Sequence, residues 1–244
     1  MREGGSVIIF DIEDLWGNTN TLGLGEHAVR MHAPPLLHDK RGNIIKWVNF
    51  ESPSLSYQFD PKGSATASRT SDYSFSGDFS AKLYSAADGD AEASRVLLPL
   101  NDFHEKLVGI QAMFSMGDTN GAIIIALNYW ETTTSKYSAY IRYSYALNVL
   151  QLWDETETWI SLATIEKTAS LYNFSTIKVI ANLETKYFSE AFCFGEHFDL
   201  SSYAMHHKTM PASEKKLSGD VMVYGSHGKT TVYIDNIIMT ELSV

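Results

Sequence analysis

The chain carries one cysteine, little positive charge and no long apolar run in its 244 residues. A single thiol cannot close an internal disulfide, so a disulfide-stapled scaffold is excluded. Cys193, inside EAFCFG, reads as a small buried hydrophobe. The longest apolar stretch, Ala122 to Leu127, is far too short to cross a bilayer, and no membrane partner is expected. Lysine and arginine number 19 against 29 aspartates and glutamates, for a net charge of -10. No basic stripe is available to displace counterions from phosphates, which sets nucleic acid aside as a partner. The opening MREGGSVIIFDIEDLWG is broken by Asp11, Glu13 and Asp14 and lacks the apolar centre of an export signal. A soluble protein without a classical secretion signal is therefore expected. Helical periodicity is nearly absent.

Hydrophobic residues make up 44% of the chain and aromatics 12%, enough to fill the core of one well-packed β domain. From Ile45 onward, short runs with two-residue alternation or β-branched enrichment recur between turn-forming clusters. Strands are predicted at 45–51, 55–60, 79–85, 93–98, 107–116, 122–130, 137–145, 147–153, 158–166, 174–183, 187–194, 219–225 and 231–241. The stretch KYSAYIRYSYALNVLQLWDETETWISLATIE is the clearest. There Tyr137, Ala139, Ile141, Tyr143 and Tyr145 fall on one face, and Ser138, Tyr140, Arg142 and Ser144 on the other. Turns at Ala146 to Asn148 and Asp154 to Thr156 join it to NVLQLW and TWISLATI as consecutive antiparallel hairpins. The polar segment 200–218 reads as a loop or one short helix. The phrase from Tyr224 to Gly228 reads as a hairpin between two strands. No fixed-period repeat is present, and so many short strands with short connections point to two packed antiparallel sheets. Residues 1–44, rich in Gly and Asn and holding the Pro34-Pro35 pair, read as an extended N-terminal arm, with one sandwich over 45–244.

Three phrases frame that sandwich: KWVNFESP at 46–53, DYSFSGDFSAKLYS at 72–85 and TTVYIDNIIMTEL at 230–242. In Phe50-Glu51, in Ser76-Gly77 followed by Phe79 to Tyr84, and in Tyr233 to Asn236, the chain resembles jelly-roll carbohydrate-binding modules and concanavalin-like (laminin G-like) sandwiches. The resemblance implies an all-β fold with two sheets. It also implies that Glu51 and Asp235 meet beside the Ser-Gly turn, where carbonyls near Ser76 and Asp78 would help them hold a structural calcium ion. No other cofactor is implied. The run LGEHAVRMHAPPLLHDKRGNIIKWVNFE is similar to leader segments of tailed-phage structural proteins, which implies a virion location.

Catalytic signals are missing. A retaining glycosidase needs two carboxylates about 5 Å apart. The acidic clusters are Asp11, Glu13 and Asp14; Asp88, Asp90 and Glu92; and Asp154, Glu155 and Glu157. They lie in the arm, a loop and a hairpin tip, and none has the Glu-x-Asp-x-x-Glu spacing of glucanases on this fold. No G-x-S-x-G turn is present. The adjacent His206 and His207 would point to opposite faces of a strand and do not form a zinc pair. A non-enzymatic protein is expected, with no catalytic residue assigned.

Sugar binding calls for aromatic rings flanked by planar polar groups. Asn128 and Trp130, Tyr140 and Arg142, and Gln151 and Trp153 occupy alternate positions of three predicted strands. If those strands are neighbours in register, the six form one glycan-binding face. The same residue types also serve as cross-strand packing. In the arm, Val7 to Phe10, Leu15, Trp16 and Leu24 could dock on a partner subunit, and SVIIFDI could add to a sheet edge. The expectation is a structural or binding protein, held in a homo-oligomer or virion by its arm, whose sandwich contacts glycans. The alternatives are a free carbohydrate-binding module and a divergent glycan-cleaving enzyme.

Overall fold

The computed structural model describes residues 43–51, 57–86, 93–100, 103–104, 106–131, 134–210, 216–225 and 228–242. The arm lies outside them except for Asn43 and Ile44, which already belong to the first strand. The acidic clusters at 11–14 and 88–92 also lie outside the described residues.

Sixteen strands are described. In chain order they are β1 (Asn43–Val48), β2 (Gln58–Phe59), β3 (Thr66–Thr70), β4 (Ser80–Ser85), β5 (Ser94–Leu100), β6 (Leu107–Met116), β7 (Gly121–Trp130) and β8 (Ser135–Ser144). There follow β9 (Val149–Trp153), β10 (Trp159–Thr164), β11 (Ser170–Asn182), β12 (Tyr187–Cys193), β13 (Glu196–Asp199), β14 (His206–Thr209), β15 (Lys216–Gly225) and β16 (Thr230–Leu242). They form two antiparallel sheets of eight strands each. The back sheet runs β13-β12-β11-β6-β16-β4-β3, with β1 also on β16. The front sheet runs β10-β9-β8-β7-β15-β5-β2, with β14 also on β8.

Alternation decides which side chains meet between the layers. The front sheet sends in Ile123, Ile125 and Leu127 from β7, and Ala139, Ile141 and Tyr143 from β8, all without solvent contact. The back sheet answers with Val108, Ile110, Ala112 and Phe114 from β6, and Ile177, Val179 and Ala181 from β11. Because side chains alternate every second residue, this inward set forces the intervening residues of β7, β8, β9 and β15 onto the front sheet's outer face.

Three strands were not expected. β3, TASRT, has Ala67 as its one apolar residue and borders the back sheet, so it lacks an apolar stripe. β13 follows a two-residue hairpin whose central residues, Phe194 and Gly195, both have positive φ (53° and 85°); a phenylalanine there conceals the turn. β14, HHKT, replaces the loop or helix expected over 200–218, and no helix is present among the described residues. The expected hairpin at Tyr224 to Gly228 is also corrected: β15 belongs to the front sheet and β16 to the back one, so the chain crosses between layers there.

One irregularity shapes the back sheet. Along β16, Asp235 pairs with Met113 and Ile238 with Gln111, so β16 carries one extra residue, a β-bulge. On its other edge β16 pairs with β4 up to Ile234 and with β1 from Ile237. The bulge thus sits where one neighbour gives way to the other, and the 72–79 loop fills the gap. Glu51 Oε1 accepts N–H bonds from Asp78 (3.1 Å) and Phe79 (3.0 Å). Immediately before these lies Gly77 at φ 70°, where a Cβ would overlap the Glu51 carboxylate. Gly77→Ala is expected to lose about 1–2 kcal/mol to backbone strain and about 1–3 kcal/mol more from displaced Glu51 bonds. At Gly195 a Cβ meets nothing within 4 Å, so Gly195→Ala should show the strain alone. Urea unfolding of both variants checks this, and equal losses would mean that the Glu51 contact contributes nothing.

Candidate functional site

The outer face of the front sheet is ordered in cross-strand rows. Asn128 faces Ser138 and Ser218. Tyr140 pairs with Trp153, and Trp153 with Trp159. Arg142 pairs with Gln151, and Gln151 with Ser161. Trp130 lies between Lys136 of β8 and Lys216 of β15. All six residues expected on a glycan face, Asn128, Trp130, Tyr140, Arg142, Gln151 and Trp153, therefore share one side of the sheet. Four of them, Asn128 with Tyr140 and Arg142 with Gln151, centre two hydrogen-bonded groups.

The first group centres on Asn128, which is 1% exposed although it faces away from the core. Its amide donates to Asp220 Oδ2 at 2.8 Å, and its carbonyl accepts from Ser138 Oγ at 2.8 Å and Tyr140 OH at 3.1 Å. Ser218 Oγ donates to Asp220 Oδ1 at 3.1 Å. Burial raises the Asp220 carboxyl above its usual range, against the pull of Arg95, Lys136 and these donors. Arg95 is itself engaged by Asp60, with Asp220 Oδ2 3.8 Å away.

The second group is built on Arg142. Its Nε and Nη2 donate to Gln151 Oε1 at 2.9 and 2.6 Å, and its Nη1 donates to Tyr224 OH. Gln151 Nε2 reaches Ser161 Oγ at 3.3 Å. The guanidinium lies 4.0 Å from the centre of the Trp159 ring, and Trp159 meets Trp153 edge-on at 5.0 Å. The rings are thus partly spoken for by protein cations, and Trp153, Trp159, Tyr140 and Trp130 remain half-buried rather than sealed.

Several residues of this face were not anticipated. His206 of β14 pairs with Ser138 and lies 6.4 Å from Trp153, while His207 turns the other way and stacks on Tyr137. His206 Nδ1 is buried without a hydrogen-bond partner among the described residues. Burial lowers its pKa, with Glu157 opposing. Asp220, Ser218 and Tyr224 alternate along KLSGDVMVYG with inward Leu217, Val221 and Val223. That alternation was available in the sequence, but the predicted strand began too late, at 219, to display it. Lys136 likewise precedes the strand predicted from 137 and belongs to β8.

Glu51 and Asp235 do meet at the Ser-Gly turn. Asp235 Oδ2 accepts from the Phe75 and Ser76 N–H groups, both at 2.9 Å, and Oδ1 from Asn236 N–H at 2.7 Å. The carbonyls of Phe50 and Glu51 are taken by Arg69. The loop thus turns N–H donors toward both carboxylates. Among the described residues no group of three or more His, Cys, Asp or Glu is placed to hold a metal.

Known structures share this architecture. The endo-beta-1,4-glucuronan lyase from the fungus Trichoderma reesei superposes with a TM-score of 0.53 at 11% identity, covering 81% of this chain and 95% of its own. The cellulose induced protein Cip1 gives 0.52 at 13%, covering 82% and 98%. A sialidase gives 0.51 at 10%, covering 82% of this chain; the chain spans only 19% of the sialidase's length. No protein-family model and no curated protein sequence matches. At these identities the likeness establishes the fold: a jelly-roll, concanavalin-like β-sandwich.

Asp235 has no solvent exposure, and burial pushes its carboxyl up to about 6, the backbone N–H donors pulling it down and Glu51 raising it. The folded value exceeds the ordinary 3.8, so the folded state binds the proton more tightly. This group's contribution to stability therefore grows as pH falls through the window from about 6 to 3.8. A carboxyl-carbon NMR titration should place the Asp235 midpoint near 6, unmoved by added calcium. A midpoint that drops in calcium would assign a cation to the pair.

Proposed function

We propose that the protein binds glycan chains on the outer face of its front sheet without cleaving them, and that residues 1–44 hold it in a homo-oligomer or a virion particle. The observation that carries the first part is the convergence of Asn128, Trp130, Tyr140, Arg142, Gln151 and Trp153 on one face that the core does not use. Half-buried rings beside oriented amide, guanidinium and hydroxyl groups are what a saccharide needs: apolar surface for its C–H face and fixed partners for its hydroxyls. A glycan-directed role is in keeping with the glucuronan lyase that shares the fold.

The non-catalytic part rests on the carboxylates. Asp220, central on the face, is engaged by Asn128 and Ser218. Asp154 spends its oxygens on Thr156 and Thr158 of its own hairpin. Neither is left free beside a second carboxylate, as two-carboxylate hydrolysis requires. No cofactor is required in this reading. The assembly part rests on the apolar residues scattered through the Gly- and Asn-rich arm and on its likeness to phage leader segments.

Calorimetry against a saccharide panel is expected to show binding that Trp153→Ala weakens about three- to tenfold through loss of ring contact, with melting monitored in parallel. Release of reducing or unsaturated sugar ends would overturn the non-catalytic part. For assembly, light scattering should give a larger particle for the full chain than for one starting at Gly42; equal masses would remove the arm from the account.

A further inference from the structure

Positive charge gathers on this face of an otherwise acidic chain. One row across four adjacent strands reads Lys216 (β15), Trp130 (β7), Lys136 (β8) and Lys208 (β14). Lys136 and Lys208 are direct cross-strand partners, a like-charge pairing that destabilises a sheet unless something compensates it. The Lys136 and Lys216 ammonium groups lie 4.9 and 4.8 Å from the Trp130 ring, and neither meets a carboxylate among the described residues. Three lysines elsewhere do: Lys82 pairs with Asp72, Lys106 with Glu184 and Lys186 with Glu131.

Arg142 repeats the pattern at the other end of β8. Its described partners are an amide oxygen, a phenol and an indole ring, all neutral. Nε and one N–H of each Nη are engaged, leaving one N–H on Nη1 and one on Nη2. Those two N–H groups remain to donate to a carboxylate or sulfate. The face does hold negative charge, but Asp60 and Asp220 lie beside Arg95, and Glu157 lies 3.7 Å from His206. Burial pushes the Lys136 amine down to about 8; Asp220 opposes this, while Arg95, Lys208 and Lys216 add to it. Among the described residues the lysine row is therefore short of anions.

Arg142 and Lys136 are six residues apart on one strand, about 20 Å at strand rise, the reach of an oligosaccharide rather than of one sugar. We infer that the glycan taken by this face is an acidic chain, its carboxylate or sulfate groups meeting the Arg142 guanidinium at one end and the Lys136–Lys208–Lys216 row at the other. This rests on the glycan-binding reading and sharpens it to a ligand class.

The test is calorimetry with the full chain at low and high sodium chloride. The probes are polygalacturonate and alginate oligomers (carboxylated), heparin oligomers (sulfated), and xylan and β-glucan oligomers (neutral). Binding of either acidic class, weakened about tenfold or more by high salt, is expected. Arg142→Gln should cost about ten- to hundredfold in affinity for it. Lys208→Gln, at an exposed edge position that cannot unfold the sheet, should cost a few-fold. Lys82→Gln on the back sheet should cost nothing. Preference between the carboxylated and sulfated probes decides which anion the Arg142 guanidinium takes. Binding of neutral probes alone, or acidic binding indifferent to both salt and Lys208→Gln, overturns the inference while leaving glycan binding intact. Binding of no probe overturns the glycan reading itself.

Discussion

The inward side chains of β7 and β8 constrain everything that faces the solvent. Ile123, Ile125 and Leu127, and beside them Ala139, Ile141 and Tyr143, are sealed against the back sheet. A one-residue slip of either strand would bring Asn128, Tyr140 and Arg142 into that layer. Burying an unpaired guanidinium there would cost several kcal/mol, so the register is held firmly. The outer face is therefore a by-product of the core: its rows of polar and aromatic residues are aligned because their neighbours must be.

A different constraint governs the rim of the back sheet. The bulge at Asp235 lets β16 serve β4 and then β1 on one edge, and the gap between them admits the 72–79 loop. Phe50 and Asn236 take positive φ on either side of the gap. Trp47 Nε1 donates to Asn236 Oδ1 at 2.9 Å and Asn236 Nδ2 to Ser76 Oγ at 2.8 Å, linking the first strand, the loop and the last strand. The ends of the described chain are joined through part-buried polar contacts in place of a disulfide.

Much of this was legible in the sequence. Two-residue alternation in KYSAYIRYS and the turns bracketing NVLQLW place β8, β9 and β10 as hairpin neighbours, and with them the relative positions of four of the six proposed ligand residues, Tyr140, Arg142, Gln151 and Trp153, on one face. The pairing of Glu51 with Asp235 came from the resemblance of the framing phrases. What their oxygens touch could not be read, because it depends on a bulge and two positive-φ residues that carry no glycine signal. His206 escaped because HHKT has no alternation of its own; its place comes from pairing with Ser138. The lysine row was hidden for a similar reason, since Lys136, Lys208 and Lys216 belong to three strands far apart in the chain and become neighbours only through Trp130 and the β14 edge.

The indole N–H resonances test the central claim most directly, because tryptophans mark both sheets. Trp130, Trp153 and Trp159 lie on the front face, and Trp47 is tied to Asn236 on the back sheet. Titration with a bound saccharide should shift the indole signals of the first three and leave that of Trp47 in place. A shift at Trp47 with the front three unmoved would put the ligand on the other side of the molecule and contradict the account.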